Sequence, residues 1–221
     1  MHASRDKTAI VISLLYAAFV GWSLYGAVRP VETYLFRMAH LAFIFALGFL
    51  VYSTTKSGKP WVKWLDLGLV VLGVASVVWA LIDVDAFVRR TTVPYLSDVI
   101  FGLIAILLLV ELSRRVVGNT FTVVMAGFLL YCYLGALIPG VLGHKGYDLD
   151  RIVGHMYMTL EGIFGVPLSV SVAFVMLFVV YGTYMDAAGA GQFWLELALA
   201  VMGCKSSSAG RGAVITTALL G

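Results

Sequence analysis

Residues 161–191 read EGIFGVPLSVSVAFVMLFVVYGTYMDAAGAG, and about twenty positions in the middle carry no charge at all. At about 1.5 Å per residue, a helix of that length crosses the roughly 30 Å hydrocarbon core of a bilayer. Gly165-x-Pro167 leads into this helix, and the small residues 187–191, ending at Gly189, Ala190 and Gly191, lead out of it. A membrane span over residues 166–184 follows. A chain built around such a segment cannot fold as an ordinary soluble domain. The rest of the sequence agrees, since only 12% of it is charged and 61% is hydrophobic, against about a quarter charged in soluble domains.

Five further spans precede this one. The first covers residues 9–28; it is longer than the apolar core of a signal peptide and no small-residue cleavage site follows it, so it is retained. The second covers 35–53, the third 64–82, the fourth 95–112 and the fifth 120–138, the last ended by Pro139-Gly140. Trp22 and Tyr25, Trp61 and Trp64, and Trp79 stand where interfacial aromatics belong. Residues 151–160 are too short to span and read as an interfacial helix. Residues 192–202 and 213–221, on either side of the polar loop 203–212, have the length of re-entrant or interfacial pieces. The fold class is therefore all-α integral membrane, with about six transmembrane helices plus interfacial and short helices.

Lysine and arginine placement sets the orientation. With the N-terminus inside, Arg5, Lys7, Lys56, Lys59, Lys63, Arg114, Arg115, Lys205 and Arg211 are cytoplasmic, and Arg29, Arg37, Arg89, Arg90, Lys145 and Arg151 are outside. That bias favours a cytoplasmic N-terminus. The net charge of +3 is what cytoplasmic loops supply and gives no reason to expect a nucleic-acid partner. The lipid bilayer is the one partner the composition demands.

Chemistry-bearing residues are sparse. No metalloprotease, hydrolase or phosphate-loop motif is present, and His2, His40, His144 and His155 are scattered. Cys132 and Cys204 read as two free thiols rather than a metal or disulfide framework. His40 near the start of the second span reads either as a proton relay or as an interfacial histidine, the latter favoured by its place near the helix end. Asp66 reads as a carboxylate suited to a helix N-terminus, and Glu111, Arg114 and Arg115 as a helix-end charge cluster. Ser169 and Ser171 lie within the sixth span, where a hydroxyl bond to a neighbouring helix contributes about 0.6 kcal/mol. Glu161 and Asp186 bracket that span. They either line a polar pathway or are interfacial carboxylates at helix ends, and the second reading carries more weight because costly intramembrane charges sit deeper. Discontinuous helices interrupted by glycine and proline are a transporter device.

Specific wording then points to a family. Gly140-x-x-Gly143-His144-x-Gly146-Tyr147, Glu161-Gly162-Ile163-Phe164-Gly165-Val166-Pro167, Gly189-Ala190-Gly191-Gln192-Phe193 and Arg211-Gly212-Ala213-Val214 through Ala218-Leu219-Leu220-Gly221 resemble the fused permeases of tripartite ATP-independent periplasmic (TRAP) transporters. The resemblance is to the class paired with TAXI-type binding proteins. It covers about the last 85 residues, and residues 9–112 with Glu111-x-x-Arg114-Arg115 look like the small membrane subunit of these systems. The resemblance implies a small-subunit-like four-helix domain over 1–115, a connecting and an interfacial helix over 116–160, and the start of a large-subunit-like transport domain over 161–221.

It further implies import of an organic acid across the bacterial inner membrane. A periplasmic TAXI-type protein would deliver the substrate, a sodium or proton gradient would drive it, and an elevator-like motion would carry it. No cofactor is expected besides the coupling ion. In the family a Gly/Ser/Asn-rich hairpin follows the match to Ala218-Leu219-Leu220-Gly221, so the chain is expected to be the N-terminal fragment of a larger permease. Substrate and ion residues are then expected beyond Gly221. Within the chain the motif residues are Glu161, Gly165, Pro167, Asp186, Gly189 and Gly191, read as structural. The alternatives are a non-transporting anchor for a partner protein and, less favoured, a membrane enzyme using His155, Glu161 or Asp186.

Overall fold

The structure, a computed structural model, describes residues 2–53 and 60–202. The expectations for the loop bearing Lys56 and Lys59, and for Cys204, Lys205, Arg211 and residues 203–221, lie outside the described residues. All regular elements among the described residues are helical. In order they are α1 (His2–Val28), α2 (Thr33–Val51), α3 (Pro60–Ile82), the short α4 (Val84–Arg89), α5 (Leu96–Val116), α6 (Asn119–Leu134) with a 3₁₀ turn at Gly135–Leu137, and α7 (Leu149–Met158). There follow α8 (Val166–Val170), a π turn (Ser171–Val175), α9 (Met176–Ala187) and α10 (Ala190–Met202).

Among the described residues, six helices are long and apolar enough to cross a membrane: Ala9–Val28, Thr33–Val51, Trp61–Ile82, Leu96–Val116, Asn119–Leu137 and Val166–Ala187. They coincide with the six expected spans to within a few residues at each end. α10 is 13 residues long, the short piece expected there.

The chain divides into two compact units, Met1–Ala173 and Phe174–Gly221. In the first, α2, α3 and α5 form the core, with Phe45 and Phe49, Val77 and Ala80, and Ala105 and Leu108 buried between them. α1 packs on α2, and α6 packs on α5. Local chemistry starts these helices. The Glu32 carboxylate accepts the backbone N–H groups of Tyr34 (2.9 Å) and Leu35 (2.7 Å) at the head of α2, and Asp83 accepts that of Ala86 (2.8 Å) at the head of α4. Both satisfy donors that a helix N-terminus leaves orphaned.

α7 is strongly amphipathic, and Val153, Tyr157 and Met158 bury its apolar face against the bundle. Its seat is tight: a Cβ on Gly154 would stand 2.8 Å from the Thr91 carbonyl oxygen. The helix expected to be interfacial is a packed element of the core, docked chiefly on α5. In the second unit, α9 and α10 pack on each other. Gly189 joins them at φ +76°, a left-handed conformation that glycine adopts at no steric cost.

Candidate functional site

The segment leading into the sixth span is built as a series of turns. Thr159 Oγ1 donates to the His155 carbonyl (2.6 Å) and accepts the Glu161 N–H (3.1 Å). Ile163 N–H returns to the Met156 carbonyl (2.7 Å), and Gly165 N–H to that of Gly162 (3.0 Å). Gly165 caps α8, and a Cβ there would lie 2.8 Å from the Gly162 oxygen. Pro167 falls in the first turn of the helix, where its missing N–H costs nothing. Gly165 and Pro167 therefore form the start of the span as their spacing indicates.

α2 holds this segment in place. Tyr34 Oη donates to the Met158 carbonyl (3.4 Å), Arg37 Nη1 to the Phe164 carbonyl (2.6 Å), and His40 Nε2 lies 3.1 Å from Ser171 Oγ. Spacings of three and six residues place all three side chains on one face of α2. Phe164 itself is fully buried in the core. His40, expected near the interface, is enclosed by protein rather than turned to water. The residue is 1% exposed, its ring 4.8 Å from that of Phe19. Its Nδ1 has no hydrogen-bond partner among the described residues.

Two further polar clusters tie the bundle together. Asp98 is a fully buried member of the first turn of α5. It accepts from Trp79 Nε1 (2.9 Å), Arg90 Nε (3.0 Å) and Nη2 (3.3 Å), and the Tyr95 N–H (3.1 Å). That bonding to Asp98 raises the pKa of Arg90 above the usual guanidinium value. Burial, with the Asp98 charge adding to it, pushes the Tyr157 phenol up as well; its hydroxyl donates to the Ser76 carbonyl.

At the opposite end of α5, Arg115 bonds Asp66 Oδ1 (2.8 Å), Glu111 Oε1 (2.8 Å) and the Tyr52 carbonyl (3.0 Å), and Ser53 Oγ donates to Asp66 Oδ2 (2.7 Å). With side chains 3% and 7% exposed, Arg115 and Asp66 form a buried ion pair. Asp66 is therefore not the simple helix-terminal carboxylate its position suggested: α3 begins a turn and a half earlier, at Pro60.

The Gly-x-x-Gly-His motif makes a third arrangement. His144 Nε2 bonds the Tyr131 carbonyl (3.1 Å), Nδ1 accepts the Gly146 N–H (3.0 Å), and Tyr147 N–H donates to the Cys132 carbonyl (3.0 Å). These bonds satisfy carbonyls at the end of α6 that have no partner within the helix.

Glu161 and Asp186 are both exposed. Glu161 Oε2 stands 4.0 Å from His155 Nδ1, with side chains 80% and 58% exposed, a geometry worth little in water. Asp186 belongs to the second unit, and its carbonyl accepts the Gly189 N–H (3.0 Å). Gly191 lies in the first turn of α10, with open space around it. Among the described residues no three metal-ligating side chains come together.

Residues 104–221 match the family model of the tripartite ATP-independent periplasmic transporter, DctM component, a little over half of the chain. The chain belongs to the DctM family. It is thus a multi-pass membrane protein and a permease component of a TRAP transporter, a transporter family rather than an enzyme family. Neither a curated protein nor a solved structure gave a match. The DctM match begins inside α5, so α1 to α4 lie outside it, whereas the lead-in turns and the sixth span lie within. The α2 face of Tyr34, Arg37 and His40 is therefore one place where residues outside the match grip residues inside it; Asp66 on Arg115 and Ser76 on Tyr157 are others.

Proposed function

We propose that this chain is a fused TRAP permease polypeptide, in which residues 1–115 act as the small-subunit-like scaffold, 116–160 connect, and 161–221 begin the transport domain. The DctM match over residues 104–221 carries this reading. The bonds from α2 to Met158, Phe164 and Ser171 support it, since a scaffold must hold the transport part by defined contacts. The N-terminus is cytoplasmic, following the lysine and arginine bias, and the membrane is the bacterial inner membrane.

On this reading a periplasmic TAXI-type binding protein delivers an organic acid to the outer face, and a sodium or proton gradient drives import. An open cleft of about 850 Å³ bordered by Glu32, Asp83, Asp85 and Arg89 lies on that face and offers charged groups to a soluble partner. Glu161, Gly165, Pro167, Asp186, Gly189 and Gly191 then shape the lead-in and the exit of the sixth span, and none of them binds substrate.

Reconstitution tests the proposal. The native polypeptide carrying this sequence is placed in proteoliposomes with its binding protein, and organic-acid uptake is followed under an imposed sodium gradient and, separately, a proton gradient. Uptake that needs both the binding protein and one of the gradients is expected. Absence of uptake under either gradient, with the binding protein still captured by the membrane, would instead establish a non-transporting anchor.

A further inference from the structure

His144 stands in the turn between the fifth span and α7, and its two ring nitrogens meet opposite demands. Nδ1 takes the Gly146 N–H at 3.0 Å, and Nε2 lies 3.1 Å from the Tyr131 carbonyl oxygen. An amide N–H can only donate and a carbonyl oxygen can only accept, so the ring hydrogen sits on Nε2 and Nδ1 keeps its lone pair. This one neutral tautomer satisfies both nitrogens. A second proton has a single place to go, Nδ1, where it faces the Gly146 N–H donor to donor.

The surroundings leave the half-buried ring and its turn little room to give. A Cβ on Gly135 would collide with the imidazole, so the ring fills the space that a side chain there would take. Tyr131 meets the ring edge-on at 4.8 Å, and Tyr147 lies 5.4 Å away. Gly146 holds φ +72°, close enough to α6 that a Cβ would stand 3.0 Å from the Tyr133 carbonyl oxygen. Nor do the neighbouring groups favour a charged ring. α6 offers the Tyr131 phenol, the turn offers Lys145 and Tyr147, and α7 offers Arg151, whose guanidinium lies 5.1 Å over the Tyr147 ring. Among the described residues no carboxylate forms an ion pair with His144, the nearby Asp148 and Asp150 included.

We propose that His144 is a pH-sensitive clasp on the turn between the fifth span and α7: neutral, it closes the turn through Gly146, and protonated, it opens it. Histidine is the side chain whose charge ordinarily changes between about pH 5 and 8. Opening frees Gly146 first and then Tyr147, whose N–H holds the Cys132 carbonyl at 3.0 Å. The lead into α7 is thereby loosened from the end of α6. The clasp is built wholly within the first unit, and it stands whether or not the transport reading does.

Hydrogen exchange of the full chain in lipid nanodiscs tests this, read by mass spectrometry over residues 143–148 and corrected for intrinsic exchange rates. Between about pH 7.5 and about pH 5.5, either side of the ordinary histidine charge change, protection of the Gly146 and Tyr147 amides is expected to fall. The expected fall is about fivefold or more, the size of one ordinary hydrogen bond. His144→Gln presents an amide oxygen and nitrogen in place of Nδ1 and Nε2 at every pH, and is expected to keep its protection at both. A parent chain whose protection does not fall overturns the proposal, as does an equal fall in His144→Gln. Where His144→Gln does not fold, imidazole ¹⁵N spectra of the parent take its place. Protection lost in step with protonation of the His144 ring supports the clasp, and protection that outlasts protonation, or is lost before it, overturns it.

Discussion

Arg115 and Arg114 are neighbours in sequence with opposite fates, and the difference is burial. Arg114 forms a bidentate pair with Glu111 but remains 43% exposed, whereas Arg115 is enclosed with Asp66 and lies 4.8 Å over the Phe49 ring. Removing one partner of a buried pair leaves a charge without compensation and costs about 3–5 kcal/mol. Exposed pairs are worth about 0–1 kcal/mol. Arg115→Met is accordingly expected to destabilise the protein by several kcal/mol and Arg114→Gln by less than about 1, as read by denaturant unfolding in micelles. Tyr157 gives a pH signature. Its folded pKa lies above the ordinary tyrosine value, so above about pH 10 the unfolded chain loses this proton while the folded one keeps it. The stabilisation is complete below that pH and falls as pH rises. Unfolding curves from pH 8 to 11, alongside phenolate absorbance, are expected to show a drop that Tyr157→Phe reduces.

Among the elements, α7 has a glycine, Gly154, at which a single added carbon would meet backbone: the Cβ would stand 2.8 Å from the Thr91 carbonyl oxygen, which no rotamer change can relieve. Gly154→Val is expected to cost about 1–3 kcal/mol and to lift α7 from α5, increasing protease cleavage between residues 138 and 166. The spans were legible in the sequence because length and apolarity decide them. Gly165 and Pro167 were legible too, because an N-terminal turn has its own residue chemistry. The grip of α2 was not. His40 and Ser171 stand 131 positions apart, and Asp66 and Arg115 49 apart, and no local pattern pairs such residues. Nor did composition signal the π turn, since one extra residue in an apolar run leaves the run apolar. The burial of Asp98 was not legible for a related reason: Trp79 and Arg90 close over it from positions that no local pattern pairs with it.

For the whole molecule, the proposed cytoplasmic N-terminus, with the six candidate spans among the described residues, predicts the side of each loop between them. A reporter active only outside the cytoplasm is expected to be active when fused after Lys145 and silent when fused after Gly118. The opposite pattern would reverse the assignment of the cleft beside Glu32 and Asp83 to the outer face. The same fusions, made in Arg115→Met, test whether topology survives loss of the buried pair.

The Asp98 cluster bears on how the protein can be dissected. The stretch that matches the DctM family starts at residue 104, partway along α5, whose first turn is fastened to Trp79 and Arg90. A clone trimmed to the matched boundary would begin in mid-helix, stripped of the anchor that seats α5 and of the α2 face that binds the Met158 and Phe164 carbonyls before the sixth span. Family boundaries drawn by sequence thus do not coincide with lines along which this protein comes apart.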